Sequence, residues 1–355
     1  MTPEVQQDGN RGAARLSPRT LIGAVLRSFR SREMGIFLVL CMLIGGMCLT
    51  PARDNFLQKN NLQNLTRQIG LLGIFSVGEC IVIITAGIDL SVGSLIGLAG
   101  MVVSILLVTS HWPLWAAFAA TIGIGVGVGL IHAFFISGFN IPPFIITLGT
   151  LDILRSVARL STGSMPVPLE QTATAALIIT LGNSNRLGLP IPFIILIVIA
   201  IAAEIFMRKM PMGRHIYALG GNEEATRLSG ISKAKVIMIT YVISGCLAAL
   251  AGIINAGYIN EGDPGTGTSF ELNAIAAAVI GGCSLFGGEG SVIGTIIGAA
   301  LLEVLLNAIT FLIGQNSSLW QGLIVGCVVV GAVLFNELRD RAKVGGLRAI
   351  LRRFW

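Results

Sequence analysis

Ten apolar runs follow one another along the chain, at 34–49, 69–86, 93–108, 112–137, 143–160, 190–207, 236–258, 272–286, 292–313 and 319–335. An α-helix needs ~20 mostly apolar residues to cross ~30 Å of hydrocarbon. Most of the runs reach about that length, so the pattern predicts an all-α polytopic membrane protein of about ten transmembrane helices. Some of these are expected to be short or broken. The run 272–286 would measure only about 22 Å as a helix. The run 143–160 opens at Pro142-Pro143 and carries Asp152, Arg155 and Arg159. A charge at membrane depth costs at least ~2.5–3.5 kcal/mol. These three must face a partner or water, with Asp152 pairing to Arg155 or Arg159, or the segment lies shallow. Short or interrupted helices often border a translocation route.

The polar intervals test this count. Basic residues cluster at 11–32, at 208–235 and at 339–353. Positively charged loops stay in the cytoplasm. Six runs separate the first two clusters and four separate the last two, so all three fall on one side. The expected organisation is a cytosolic basic tail at 1–33, a transmembrane domain at 34–338 with a cytosolic loop at 208–235, and a second cytosolic tail at 339–355. Residues 161–189 then lie outside, where the apolar patch 175–181 is too short to span. The polar, Arg-rich start reads as a tail before a retained first span rather than a cleaved signal.

Composition agrees and removes other classes. The chain is 54% hydrophobic and 12% charged, against ~25% charged in soluble domains, and its mean hydropathy is +0.82. The 45 glycines favour close helix packing. The net charge of +6 reports topology rather than nucleic-acid binding. Six cysteines without a CxxC pair read as small apolar residues, and three scattered histidines predict no metal site. HExxH, GxSxG and the phosphate loop GxxxxGK[ST] are all lacking, so neither an intramembrane enzyme nor an ATP-binding chain is expected. The run Gly123-x-Gly125-x-Gly127-x-Gly129 reads as a packing face for a neighbouring helix. Asp89 and Glu289 each precede a similar Ser-Val helix start, a hint of a parallel internal repeat in which Asp89 caps its span.

The loop at 208–235 holds more than charge. Asn222 is a good N-cap, Glu223 and Glu224 suit a first turn, and Gly230 can end the helix in a left-handed conformation. The expected product is a short helix offering Ala225 and Leu228 to a partner.

Here a resemblance becomes specific. Glu224-Ala225-Thr226 followed by Gly230 resembles the Glu-Ala-Ala-x-x-x-Gly loop of ABC importer permeases, which contacts the ATPase. The stretch 213–231 is similar to ribose-type sugar permeases. So are 86–94 (Ala-Gly-Ile-Asp-Leu-Ser-Val-Gly-Ser), 142–150 (Pro-Pro-Phe-Ile-Ile-Thr-Leu-Gly-Thr), 271–277 and 287–291. The resemblance covers roughly 35–338. It departs at Thr226, which replaces the second alanine, and in the long Arg-rich N-terminal tail. It implies a bacterial inner-membrane subunit that moves a monosaccharide (a ribose-like pentose, hexose or polyol). Its partners would be an ABC ATPase subunit, a periplasmic sugar-binding protein and a second permease chain, identical or related. The chain itself would hold no cofactor, ATP and Mg being used by the ATPase. The coupling residues would be Asn222, Glu223, Glu224, Ala225, Thr226, Leu228 and Gly230. A sugar crossing hydrocarbon needs polar groups or water along its route, and Asp89, Ser91, Ser94, Thr147, Asp152 and Asn273 are the candidates. The alternative is an ion-coupled secondary transporter of small polar solutes, which would recruit Asp89, Asp152, Glu79 and Glu303.

Overall fold

The computed structural model describes residues 31–169 and 173–345. In chain order the helices are α1 (Ser31–Cys48), α2 (Arg53–Phe56), α3 (Lys59–Ile84), α4 (Val92–Ser104), α5 (Leu114–Ala133), α6 (Pro143–Leu160), α7 (Ala176–Asn183), α8 (Ile191–Lys209), α9 (Pro211–Gly221), α10 (Glu223–Leu228), α11 (Lys233–Ile259), α12 (Phe270–Ile280), α13 (Val292–Ile313) and α14 (Ser317–Gly345). A π-helical turn extends α4 to Thr109 and another extends α5 to Gly138. Four two-residue strands, β1 (Val167–Pro168), β2 (Asn185–Arg186), β3 (Leu189–Pro190) and β4 (Glu261–Gly262), pair as β1 with β4 and β2 with β3, both antiparallel. The fold is the expected polytopic helical one. The tails expected at 1–33 and 339–355 lie outside the described residues, apart from 31–33 and 339–345.

Among the described residues, six helical stretches are long and apolar enough to cross a membrane: Lys59–Ile84, Val92–Thr109, Leu114–Gly138, Ile191–Lys209, Lys233–Ile259 and Val292–Gly331. The count of ten is not reached by this measure. The last stretch contains a 3₁₀ break at Gly314–Asn316, while Glu33–Cys48 and Phe270–Ile280 are apolar but short.

Two helices organise the bundle. α11 packs against α3, α4, α5 and α7, and α3 also packs against α8, α12 and α13. Lipid tails are as apolar as leucine, so helices associate here through close packing rather than through a hydrophobic drive. Small residues supply the closeness. A Cβ on Gly125 would lie 2.8 Å from the Gly245 carbonyl carbon, and one on Gly129 would lie 2.5 Å from the Tyr241 carbonyl oxygen. The glycine run therefore splits. Gly125 and Gly129 seat α5 on α11, whereas Gly123 and Gly127 meet nothing within 4 Å.

The run 272–286 is short, as expected, and its helical part is shorter than the run. Its helix is α12, only 11 residues, beginning at Phe270 and ending at Ile280. Residues 281–291 form a turn in which Gly282, Gly287 and Gly288 have φ of +96°, +82° and +73°, angles that glycine alone adopts at little cost. Before α12, residues 261–269 form no helix beyond their strand pair and turns. They run down the side of α4. A Cβ on Gly262 would lie 2.7 Å from Ser104 Oγ, one on Gly97 would lie 2.6 Å from the Thr266 carbonyl, and one on Gly93 would strike Gly267 and Glu271. The eighth run thus holds a half-length helix, preceded by the irregular backbone of 261–269.

Candidate functional site

The loop between α8 and α11 folds as two short helices, α9 and α10, set apart by Asn222. Asn222 is extended (φ −161°) and its side chain accepts from the Ala225 amide at 2.9 Å, as an N-cap does. Glu223 and Glu224 fill the first turn. Glu224 pairs with Arg227 at 2.6 Å and Glu223 with Lys233 at 2.6 Å. Exposed pairs of this kind are worth ~0–1 kcal/mol, so they orient the turn more than they stabilise it. Thr226 is buried, and its hydroxyl donates to the Asn222 carbonyl at 2.7 Å. Ala225 and Leu228 are exposed, Leu228 at 76%. Gly230, at φ +78°, ends the element. The seven residues expected here therefore form one exposed knob with Thr226 as its root.

Behind the knob, α9 rests on two loops. Gly220 lies so close to Ile84 and Gly288 that a side chain would collide with both. The Gly288 amide donates to the Ile84 carbonyl at 2.9 Å, and Tyr217 Oη donates to the Gly290 carbonyl at 3.0 Å. Burial pushes the Tyr217 phenol above its ordinary range, which keeps it a donor. The sulfurs of Cys80 and Cys283 approach to 3.2 Å beside this junction, tying α3 to the turn after α12.

The six residues expected along a pathway divide into two places. Asp89, Ser91, Ser94 and Thr147 are buried within this one chain, at 0–1% exposure. Asp89 Oδ1 accepts from the Ser91 amide (3.1 Å) and hydroxyl (2.7 Å), and Oδ2 accepts from Ser244 Oγ of α11 (2.9 Å). The Asp89 amide donates to Glu79 Oε1 of α3 at 3.1 Å. Thr147 of α6 donates to the Ile88 carbonyl at 3.1 Å. Next to this cluster, His132 Nε2 bonds Thr150 Oγ1 at 2.7 Å and its ring meets Tyr241 edge-on at 5.6 Å. The cluster fastens α3, α4, α6 and α11 together. A buried carboxylate is tolerable only with such partners.

Asp152 and Asn273 lie elsewhere. Asp152 is on the exposed face of α6 and Asn273 is half-exposed on α12. The expected pairing of Asp152 with Arg155 or Arg159 is not found among the described residues. Arg155 instead turns to the irregular segment, donating to the carbonyls of Pro264 (3.1 Å) and Thr266. The guanidinium satisfies two carbonyls that the absent helix leaves without helical partners, and so turns away from Asp152. Glu289 is exposed while Asp89 is sealed, so the two similar helix starts occupy different surroundings. Ser291 caps α13 through its hydroxyl, whereas Ser91 makes no such cap to α4.

A family profile described as "Branched-chain amino acid transport system / permease component" matches residues 61–333. The ribose import permease protein RbsC of Escherichia coli (strain K12) is 41% identical over 302 residues, covering 85% of this chain and 93% of that protein. The chain is a ribose-type ABC permease. RbsC of Bacillus subtilis (strain 168) is 35% identical over 309 residues, covering 87% of the permease described here and 94% of its own length. The D-allose transport system permease protein AlsC of Escherichia coli (strain K12) is 31% identical over 307 residues, covering 86% and 92%. No solved structure matches this permease. The stretch matched by the profile, 61–333, includes the knob, the buried cluster and the irregular segment.

Within the permease, Tyr217, Gly220 and Gly288 lie in the resembling stretches and Arg155 in an apolar run, but the sequence assigned none of them these contacts. The doubled glycines at 220–221 and 287–288 were a signal of close approach. Arg155 gave only the signal of a charge inside an apolar run.

Proposed function

We propose that this permease is the membrane subunit of an ATP-driven importer of a monosaccharide, such as a ribose-like pentose, a hexose or a polyol. The observation that carries the reading is the exposed, capped knob of α10 seated on α9. Through Gly220 and Tyr217, α9 rests on the turn that leads back into α12. An ATPase subunit gripping Glu224, Ala225 and Leu228 would push on α9, and α9 on the two loops. The knob then lies in the cytoplasm with both chain termini, and residues 161–169 and 173–189 face the periplasm, where a sugar-binding protein docks. A second permease chain, identical or related, completes the route. Asp152 and Asn273 are the polar groups open to it, while the Asp89 cluster holds the frame behind it. ATP and Mg belong to the ATPase, and this chain needs no cofactor of its own. The names of the relatives, permeases for ribose, allose and xylose, support the substrate class.

The test is reconstitution in proteoliposomes with the cognate ATPase and binding protein. Labelled monosaccharide should accumulate only with ATP and should stop with vanadate. Glu224→Lys or Gly230→Pro should abolish uptake and ATPase association while the permease stays inserted. Uphill uptake by the permease alone along a proton or sodium gradient would instead establish ion coupling.

A further inference from the structure

The irregular segment 261–269 sits at the wrong depth for ordinary loop backbone. It runs beside residues 93–104 of α4, inside the membrane-crossing stretch Val92–Thr109. Lipid-exposed irregular backbone does not occur in the hydrocarbon region, because each open N–H or C=O there lacks a partner. Such backbone survives only where protein buries it or water reaches it. One side is accounted for. Gly262, Pro264 and Gly267 are buried, and Arg155 takes the carbonyls of Pro264 and Thr266. The other side is exposed, though part of its backbone is paired: the Gly265 amide donates to Asp263 Oδ1 at 2.9 Å and the Ser269 carbonyl accepts from the Asn273 amide at 3.3 Å. Gly265, Thr268 and Ser269 are exposed, with Thr268 Oγ1 donating back to the Gly265 carbonyl at 2.8 Å.

We infer that the exposed edge Gly265–Thr268–Ser269 lines a water-filled stretch of the route and offers the Thr268 and Ser269 hydroxyls to a polyhydroxylated sugar, with Arg155 as the positioning residue that helps hold the segment unwound. This rests on the importer reading and adds the place of sugar contact. Hydroxyls meet a sugar's own hydroxyls as interchangeable donors and acceptors, so the strip lets a sugar pass without a deep site. Unwound backbone at a helix break is also where transporters of other architectures place their ligands. Arg155 acts on the sugar only through the segment, by replacing the helical hydrogen bonds that residues 264 and 266 forgo.

The experiment uses the reconstituted complex with its ATPase and binding protein. Thr268→Cys is treated with a charged, membrane-impermeant methanethiosulfonate, which reacts with a thiolate only where water reaches it. Ile205→Cys on the exposed apolar side of α8 is the lipid-facing comparison, and the unsubstituted permease gives the background. Thr268→Cys should react at least about tenfold faster than Ile205→Cys, and labelling should block uptake. In parallel, Arg155→Met should raise the KM for sugar by roughly tenfold, the size of one lost charge-assisted hydrogen bond, and Arg155→Lys should restore most of it. Equal labelling at 268 and 205, or unchanged KM in Arg155→Met, overturns the inference. A merely structural role for Arg155 would lower the amount of assembled complex and Vmax while leaving KM unmoved, and that result also overturns it. Failure of the unsubstituted complex to show ATP-dependent sugar uptake would refute the importer reading instead, and the labelling comparison would still decide whether water reaches the strip.

Discussion

Thr226 stands where the resembling loops carry alanine, and the fold shows what the change accomplishes. The position is the buried root of an otherwise exposed turn, and its hydroxyl finds the Asn222 carbonyl at 2.7 Å. Thr226→Ala should therefore cost only ~0.5–1.5 kcal/mol locally, while Asn222→Ala, which removes the cap, should cost ~0.5–2 kcal/mol. Hydrogen exchange of the 223–228 amides in the purified permease reads both. Tyr217 gives a pH test. Burial raises its phenol, so the folded state prefers the protonated form. Its contribution is fully present below the unfolded value of ~10 and is lost as pH rises above that. The unsubstituted permease should lose thermal stability above about pH 10, and Tyr217→Phe should lose less over the same range. Sequence reading found the cap, the first-turn acids and the terminal glycine because these are local chemistry. It could not find Tyr217 or Gly220, whose partners Gly290, Gly288 and Ile84 lie far away along the chain.

Helix identity was legible wherever an apolar run was long. At 272–286 the shortness was legible but the bounds were not, since apolarity says nothing of where backbone stops being helical. Gly281 and Gly282, directly after Ile280, end α12 early. The glycine run in α5 was half legible. Alternation by two puts its members on different sides of a 3.6-residue helix, and only contact with α11 decides which pair packs. Gly125→Leu should thus disrupt folding and lower the yield of monodisperse permease severalfold, the scale of a core overpacking cost of ~1–3 kcal/mol. Gly123→Leu should leave yield and melting temperature near those of the unsubstituted protein. Size-exclusion chromatography and thermal melts of the pair decide it.

The parity of basic clusters predicts one orientation for the entire molecule. Met165, 67% exposed after α6, and Leu228, 76% exposed in α10, then lie on opposite sides of the membrane. Met165→Cys should react with an impermeant thiol reagent in intact cells, and Leu228→Cys only in inverted vesicles. Reaction of both from one side would break the topology and, with it, the placement of the ATPase. The class of machine was legible from a handful of motifs in order. The division of the polar residues into a sealed frame around Asp89 and an exposed edge at 265–269 was not, because both sets are written in the same residue types and differ only in what surrounds them.

The position of α11 in the bundle bears on how the protein is made. α11 packs against α3, α4, α5 and α7, all of which leave the ribosome before it. Until residue 259 has entered the bilayer, Gly125 and Gly129 lack the α11 surface they pack on, and Asp89 lacks Ser244. A nascent chain halted before Lys233 should remain loosely assembled and open to proteolysis, however many spans it has inserted. Continuing synthesis through α11 should convert it to a resistant form in one step, so maturation of the first half waits on the second.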